Sequence, residues 1–449
     1  MRQLVDFVMA ATWAIGTAAC GFTPSSTPVD AGDDADAPAC VTAGVTCSGD
    51  AIRTCSAAGA APVDAMCDWG CSTDPSAHCR QLVPSGALVP DDLIAPAQPL
   101  ADLEITSETK IDTMSGQIDG VRGPGQGIVD GIDFVVRGTT GVFRVNKLTI
   151  AANVSGAGPN ALAIASLTAI EISSAINMQG SCADREPGPG GSRGGDHEQP
   201  GVGAGAGAKG IDKDGIRTGG GGGGHGGAGG GGGTDGAAGG AVFGDPEITM
   251  LIGGSGGGGG RNAGGGNQGG FGGGGGGAVQ LTANGAVTIT AGSINAGGCG
   301  GKGGKEGAGG GGGGAGGAIL IEGLTIALAG SQIAANGGGG GGGGEAAGVG
   351  DRDSGTDGQN ASTAATAATG GPGGGNGARK GGRGGDGGRA GIVDGAIGLT
   401  AADSGGGGGG GVGRIRFNTR SGTIEQLMEV VISPTEASGR ASVGVATTQ

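Results

Sequence analysis

AVQLTANGAVTITAGSINAGG, residues 278–298, carries the reading of the fold. Val279, Leu281, Val287 and Ile289 alternate with small or polar residues, the mark of a strand with one buried face. A short Asn-Gly-Ala turn separates two such strands, and a third apolar position, Ile294, follows before glycine resumes. The same order of parts recurs in AILIEGLTIALAGSQIAANGG at 318–338 and ALAIASLTAIEISSAINMQG at 161–180. One such unit cannot bury its apolar face alone, whereas stacked copies can.

Stacking these units predicts a mainly β chain, a parallel β-helix or solenoid. Its inward positions are Val279, Leu281, Val287, Ile289, Ile294, Ile319, Ile321, Leu324, Ile326 and Leu328. The alternative is an antiparallel sandwich made of the same strands as hairpins. Shorter alternating segments upstream extend the pattern: Leu103 and Ile105, Ile128 to Val136, Val142 to Val145, and Leu148 to Ile150. Long inserts at 183–240, 253–277, 299–317 and 337–391 separate the units and are expected to leave from one corner. GGGGGGGVGRIRFNT at 405–419 opens the last unit, ending at 434, with Arg414 and Arg416 outward and Ile415 and Phe417 inward. Residues 435–449 read as a loosely held tail.

Glycine supplies 122 of the 449 residues, in runs such as 219–224, 256–260, 272–277, 309–314, 337–344 and 405–411. Ordering a glycine costs backbone entropy and returns no side-chain burial. One reading is therefore disorder. The other is a bundle of polyglycine-II-like strands, threefold and extended, whose backbone groups satisfy one another across neighbours. Some phage adhesin tips and glycine-rich antifreeze proteins carry bundles of that kind.

The amino-terminal part reads as an address followed by a crosslinked module. Residues 1–19 form a signal peptide with an apolar stretch too short to span a bilayer. Thr17-Ala18-Ala19-Cys20 is similar to a lipobox, making Cys20 the lipidation site, with an outer-membrane or extracellular destination. The alternative is an ordinary secretory signal cut near Ala19. Residues 20–39 form an acidic tether. Cys40, Cys47, Cys55, Cys67, Cys71 and Cys79 mark a disulfide-rich module at 40–80, which also holds Trp69. A unit so small needs crosslinks to stand alone, and spacing does not choose among the connectivities. Residues 81–100 read as a linker and 101–434 as the glycine-rich solenoid. Cys182 and Cys299 follow equivalent strands, as a bridge across one corner or as two free thiols.

A net charge of −15 argues against nucleic acid as a partner, despite the locally basic RKGGRGGDGGR at 379–389. Asp351, Asp353 and Asp357 in DRDSGTDG place oxygen ligands at alternating positions and make a weak calcium candidate, with Asp212 and Asp214 a smaller cluster. Otherwise no cofactor is expected. Gly224-His225-Gly226 and Arg414-Ile415-Arg416 resemble two short signatures of polygalacturonase-like enzymes but lie far apart in the chain. The paired carboxylates that a glycosidase holds at fixed separation are missing from the strands, and aromatic platforms for sugars are scarce. No catalytic residue is assigned.

The order of parts resembles a family of predicted secreted lipoproteins of myxobacteria and related bacteria, sometimes labelled PE-PGRS-like. The matching features are TAAC at 17–20, CVTAGVTCSGDAIRTC and CDWGCSTDPSAHC within 40–79, and the glycine-interrupted strands closing on GGGVGRIRFNT. The chain lacks the helical amino-terminal domain of the mycobacterial proteins, and the resemblance implies no activity. The expectation is a non-enzymatic surface protein, adhesive or structural, anchored to membrane by lipid and facing surface glycans, matrix or other cells. The alternatives are a polysaccharide-active β-helix enzyme and a calcium-binding surface protein.

Overall fold

The computed structural model describes residues 39–345, 353–376, 379–401 and 404–449. The leader, Cys20, the tether up to residue 38 and Asp351 lie outside the described residues.

Each repeat contributes one strand to each of three sheets. The first sheet has eight strands, in spatial order Gly127–Val129, Ile132–Arg137, Thr140–Val145, Ala161–Ser166, Ala278–Ala283, Ala318–Gly323, Arg414–Thr419 and Ala441–Val445. The second orders Leu103–Ile105, Leu148–Ile150, Ile170–Ile172, Val287–Thr290, Ile326–Ala329 and Glu425–Leu427. The third orders Thr109–Asp112, Val154–Ala157, Ala175–Asn177, Ser293–Asn295, Gln332–Ala334 and Val431–Ser433. From Thr140–Val145 onward all three sheets are parallel, so successive repeats do not pair as hairpins. The exception is at the start, where Ile132–Arg137 pairs antiparallel both with Thr140–Val145 and, as a hairpin, with Gly127–Val129. The turn of that hairpin, Asp130-Gly131, has φ of 52° and 79°, the left-handed pair that tight hairpins require.

Register turns alternation into rows. Phe143, Ile164, Leu281, Ile321 and Phe417 are cross-strand partners along the first sheet. Ile105, Ile150, Ile172, Ile289 and Leu328 form a row in the second, and Val154, Ile176, Ile294, Ile333 and Ile432 one in the third. All of these belong to or pack against one core, within which each fully buried side chain contributes about 1.5–3 kcal/mol. Leu324 departs from its expected inward place. It lies in the turn after Ala318–Gly323, half-buried, against a separate cluster on the outside of the first sheet. Alternation stops at Gly323, so the side chain there no longer follows the strand's facing.

Arg122 closes the amino-terminal end. Its buried guanidinium donates to the carbonyls of Ile132, Gly116, Gly123, Gly125 and Gly127 at 2.7–3.1 Å and lies over the Phe134 ring. The carboxyl-terminal residues differ from the expected loose tail. Ala441–Val445 extends the first sheet beside Arg414–Thr419, and Thr447–Thr448 pairs antiparallel with Leu82–Val83.

The three inserts occupy 178–277, 296–317 and 335–413, each running from the end of a third-sheet strand to the start of a first-sheet strand. Their described glycine runs are ordered by backbone hydrogen bonds that repeat every third residue. The amides of Gly309, Gly312 and Ala315 donate to Arg261, Gly258 and Ser255. Those of Gly310, Gly313 and Gly316 donate to Gly405, Gly408 and Gly411, and those of Gly311, Gly314 and Gly317 to Lys302, Cys299 and Ala296. All nine bonds measure 2.7–3.0 Å. Carbonyls of the same run accept from Gly270 and Gly273, from Gly220 and Gly223, and from Gly341 and Gly338. Neighbours this close leave no room for side chains: a Cβ on Gly312 would fall on the Gly221 carbonyl oxygen. The disorder alternative therefore does not describe these runs, because buried backbone groups are satisfied without any side chain.

Candidate functional site

The outer face of the first sheet is covered by residues that the sequence presents as a linker. Alternation that sends Leu281 and Ile321 inward sends Gln280, Thr282, Leu320 and Glu322 outward, and Thr282, Glu322 and Asn418 are register partners. The Glu322 carboxylate is buried there. It accepts from the Ser85 amide at 3.1 and 3.2 Å, the Ser85 hydroxyl at 2.6 Å, Gln280 Nε2 and Thr282 Oγ1 at 3.0 Å, and Asn418 Nδ2 at 2.9 Å. Five donors making six hydrogen bonds replace the water that a buried carboxylate otherwise requires. Leu82, Leu88 and Leu93 pack beside it against Ala163, Ala165, Ala278 and Leu320. Asp92 pairs with Arg137 through two bonds of 2.7 and 2.9 Å. Residues 81–95 are thus a docked strap.

The strap brings the cysteine module to the same face. Disulfides join Cys40 to Cys55, Cys47 to Cys71, and Cys67 to Cys79. Trp69 is buried and donates its Nε1 hydrogen to the Asn284 carbonyl at 2.9 Å. Arg420 binds the module from below, pairing with Asp50 at 2.6 Å and donating to the Asp68 carbonyl at 2.8 Å. A fourth disulfide, Cys182–Cys299, links the first insert to the second.

His225 and Arg414, far apart in sequence, are neighbours in space. His225 is fully buried, stacks on Phe243 with ring centroids 4.6 Å apart, and donates Nδ1–H to the Gly316 carbonyl at 2.9 Å. Burial lowers its pKa to about 4, and the positive charge of Arg414 acts in the same direction. Arg414 faces outward from the sheet, in register with Ala318, but is buried beneath the first insert, where it donates to the carbonyls of Phe243 and Gly244. The cavity beside the pair measures about 10 Å³, too small for a sugar ring. The nearby Asp245 carboxylate takes both the amide and the hydroxyl of Thr249. This pair seats the first insert on the sheet.

Of the calcium candidates, Asp357 pairs with Lys302 at 3.0 Å and accepts the Gly303 amide at 2.9 Å. Asp353 contributes its backbone carbonyl to the Glu345 amide. Among the described residues no group of three or more His, Cys, Asp and Glu side chains is placed to hold a metal ion. Asp212 and Asp214 lie on a small hairpin, Asp212–Lys213 with Ile216–Arg217.

Sequence reasoning passes over Glu322 because an outward acid on a strand is ordinary, and only the strap makes it a buried anchor. No protein-family model, curated protein or solved structure matches the chain.

Proposed function

We propose that this is a non-enzymatic protein of the cell surface, held at the outer membrane through lipid on Cys20. On this reading a parallel β-helix carries a polyglycine-II-like bundle as a rigid display surface for adhesion or envelope structure. The observation that carries it is the threefold hydrogen bonding of the run 309–317 to neighbours in six directions. Such a lattice is stiff yet needs few apolar side chains, which suits this composition. Four disulfides suit an oxidising compartment. The irregular segment 392–399 flanks the bundle and exposes Ile392, Ile397 and Leu399, apolar contacts for another surface.

Amide hydrogen exchange on the whole protein tests the scaffold. Protection in 309–314 and 405–411 matching that of strands 278–283 and 318–323 is expected; coil-like exchange there would remove the bundle. Fatty-acid labelling in the native host tests the anchor: label is expected on the native chain and not on Cys20→Ser, whereas label that persists in the variant would place the lipid elsewhere and no label on the native chain would remove it.

A further inference from the structure

A cavity of about 490 Å³ opens at the seam between the cysteine module and the strap, within the range of small-molecule sites. Trp69, Leu82 and Leu93, all buried, belong to its lining. Asp68, Arg80, Gln81 and Asn284 line it with polar side chains, and Asp68, Arg80 and Asn284 constrain the ligand most because each has a fixed hydrogen-bonding role. The Asp68 carboxylate and Arg80 guanidinium are exposed, and neither has a hydrogen-bond or ion-pair partner among the described residues. Asn284 spends its amide hydrogens on the carbonyls of Leu93 and Leu167, which leaves Oδ1 free to accept.

These groups restrict the ligand. Asp68 accepts only, Arg80 donates only, and Asn284 Oδ1 accepts only. A hydroxyl group does both, so a compound with several adjacent hydroxyls satisfies all three. With one charge of each sign in the lining, an anionic or cationic ligand gains one partner but opposes the other, so a net charge on the ligand gives no advantage. The apolar lining calls for a ligand that also has C–H surface to bury. We propose that this seam binds a neutral pyranose unit of a surface glycan. The proposal deepens the adhesion reading and rests on it for its biological setting.

The test uses the mature chain from Cys20, in which Trp69 is the sole tryptophan and its emission reports the cavity. The probes are methyl glucoside, methyl galactoside, methyl mannoside and N-acetylglucosamine, with glucuronate and glucosamine as charged counterparts. A saturable emission change at millimolar concentration is expected for at least one neutral sugar. Asp68→Asn and Arg80→Ala should each weaken it about tenfold, the worth of one hydrogen bond to a charged group, at unchanged melting temperature. No saturable response to any neutral sugar, a response to the charged sugars alone, or equal binding in both variants would overturn the site. Hydrogen exchange on the same samples separates the outcomes. Protected glycine runs with no sugar response would remove the site and leave the scaffold standing.

Discussion

A single methyl group separates tolerance from disruption at the glycines. A Cβ at Gly312 would overlap the carbonyl of Gly221, whereas one at Gly264 meets nothing within 4 Å. Gly312→Ala is expected to cost about 1–3 kcal/mol or more, as overpacking of a filled interior does. Gly264→Ala should stay within about 0.5 kcal/mol. Urea denaturation of the two variants makes the comparison, and equal losses would mean that the runs are not packed. His225 sets a second expectation at this scale. Its folded pKa of about 4 lies below the unfolded value near 6.5. The unfolded chain therefore binds the extra proton across that interval, and stability falls as pH drops from about 6.5 to 4. The loss attributable to this imidazole is about 3 kcal/mol. His225→Gln should flatten the pH dependence over that window relative to the native chain. An unchanged slope would mean that the imidazole titrates normally.

At the scale of elements, the strap at 81–95 depends on Glu322. Glu322→Ala would leave the Ser85 amide and the Thr282 hydroxyl without an acceptor and take one of their acceptors from Gln280 and Asn418. A loss of about 2–4 kcal/mol is expected, because buried donors left unpaired cost more than the bond itself returns. Limited proteolysis should then cut between Leu82 and Pro96 while the three sheets stay intact. A strap that remained resistant would show that Leu82, Leu88 and Leu93 hold it unaided. The same element shows how far local pattern carries. Residues 81–100 contain several prolines and no alternation, so they read as a connector. Their docking depends on the small side chains Ala163, Ala165 and Ala278 lying side by side on the sheet's outer face, a juxtaposition that register creates.

Across the whole molecule, the Cys182–Cys299 disulfide spans 117 residues and ties the first insert to the second. Replacing both cysteines by serine should cost about 3–5 kcal/mol on the chain-entropy account. Hydrogen exchange should rise in 183–201 and 296–302 and not in the sheets. A uniform rise would mean that sheets and inserts unfold as one unit.

The repeat alone determined the β character, the strand pairs and nearly every inward side chain, from Val279 to Leu328, because alternation is a local property of the chain. It misplaced Leu324 where the strand ends, and it took 435–449 for a tail although Ala441–Val445 adds to the first sheet. The partners of the glycine runs were decided only in three dimensions. Glycine has no side chain to record which way it faces, so nothing in GGGGGG distinguishes a residue bonded to Gly408 from one bonded to Cys299. The meeting of His225 with Arg414, the burial of Glu322 and the seam beside Trp69 likewise arise from segments far apart in sequence, and their chemistry exists only once the repeats have stacked.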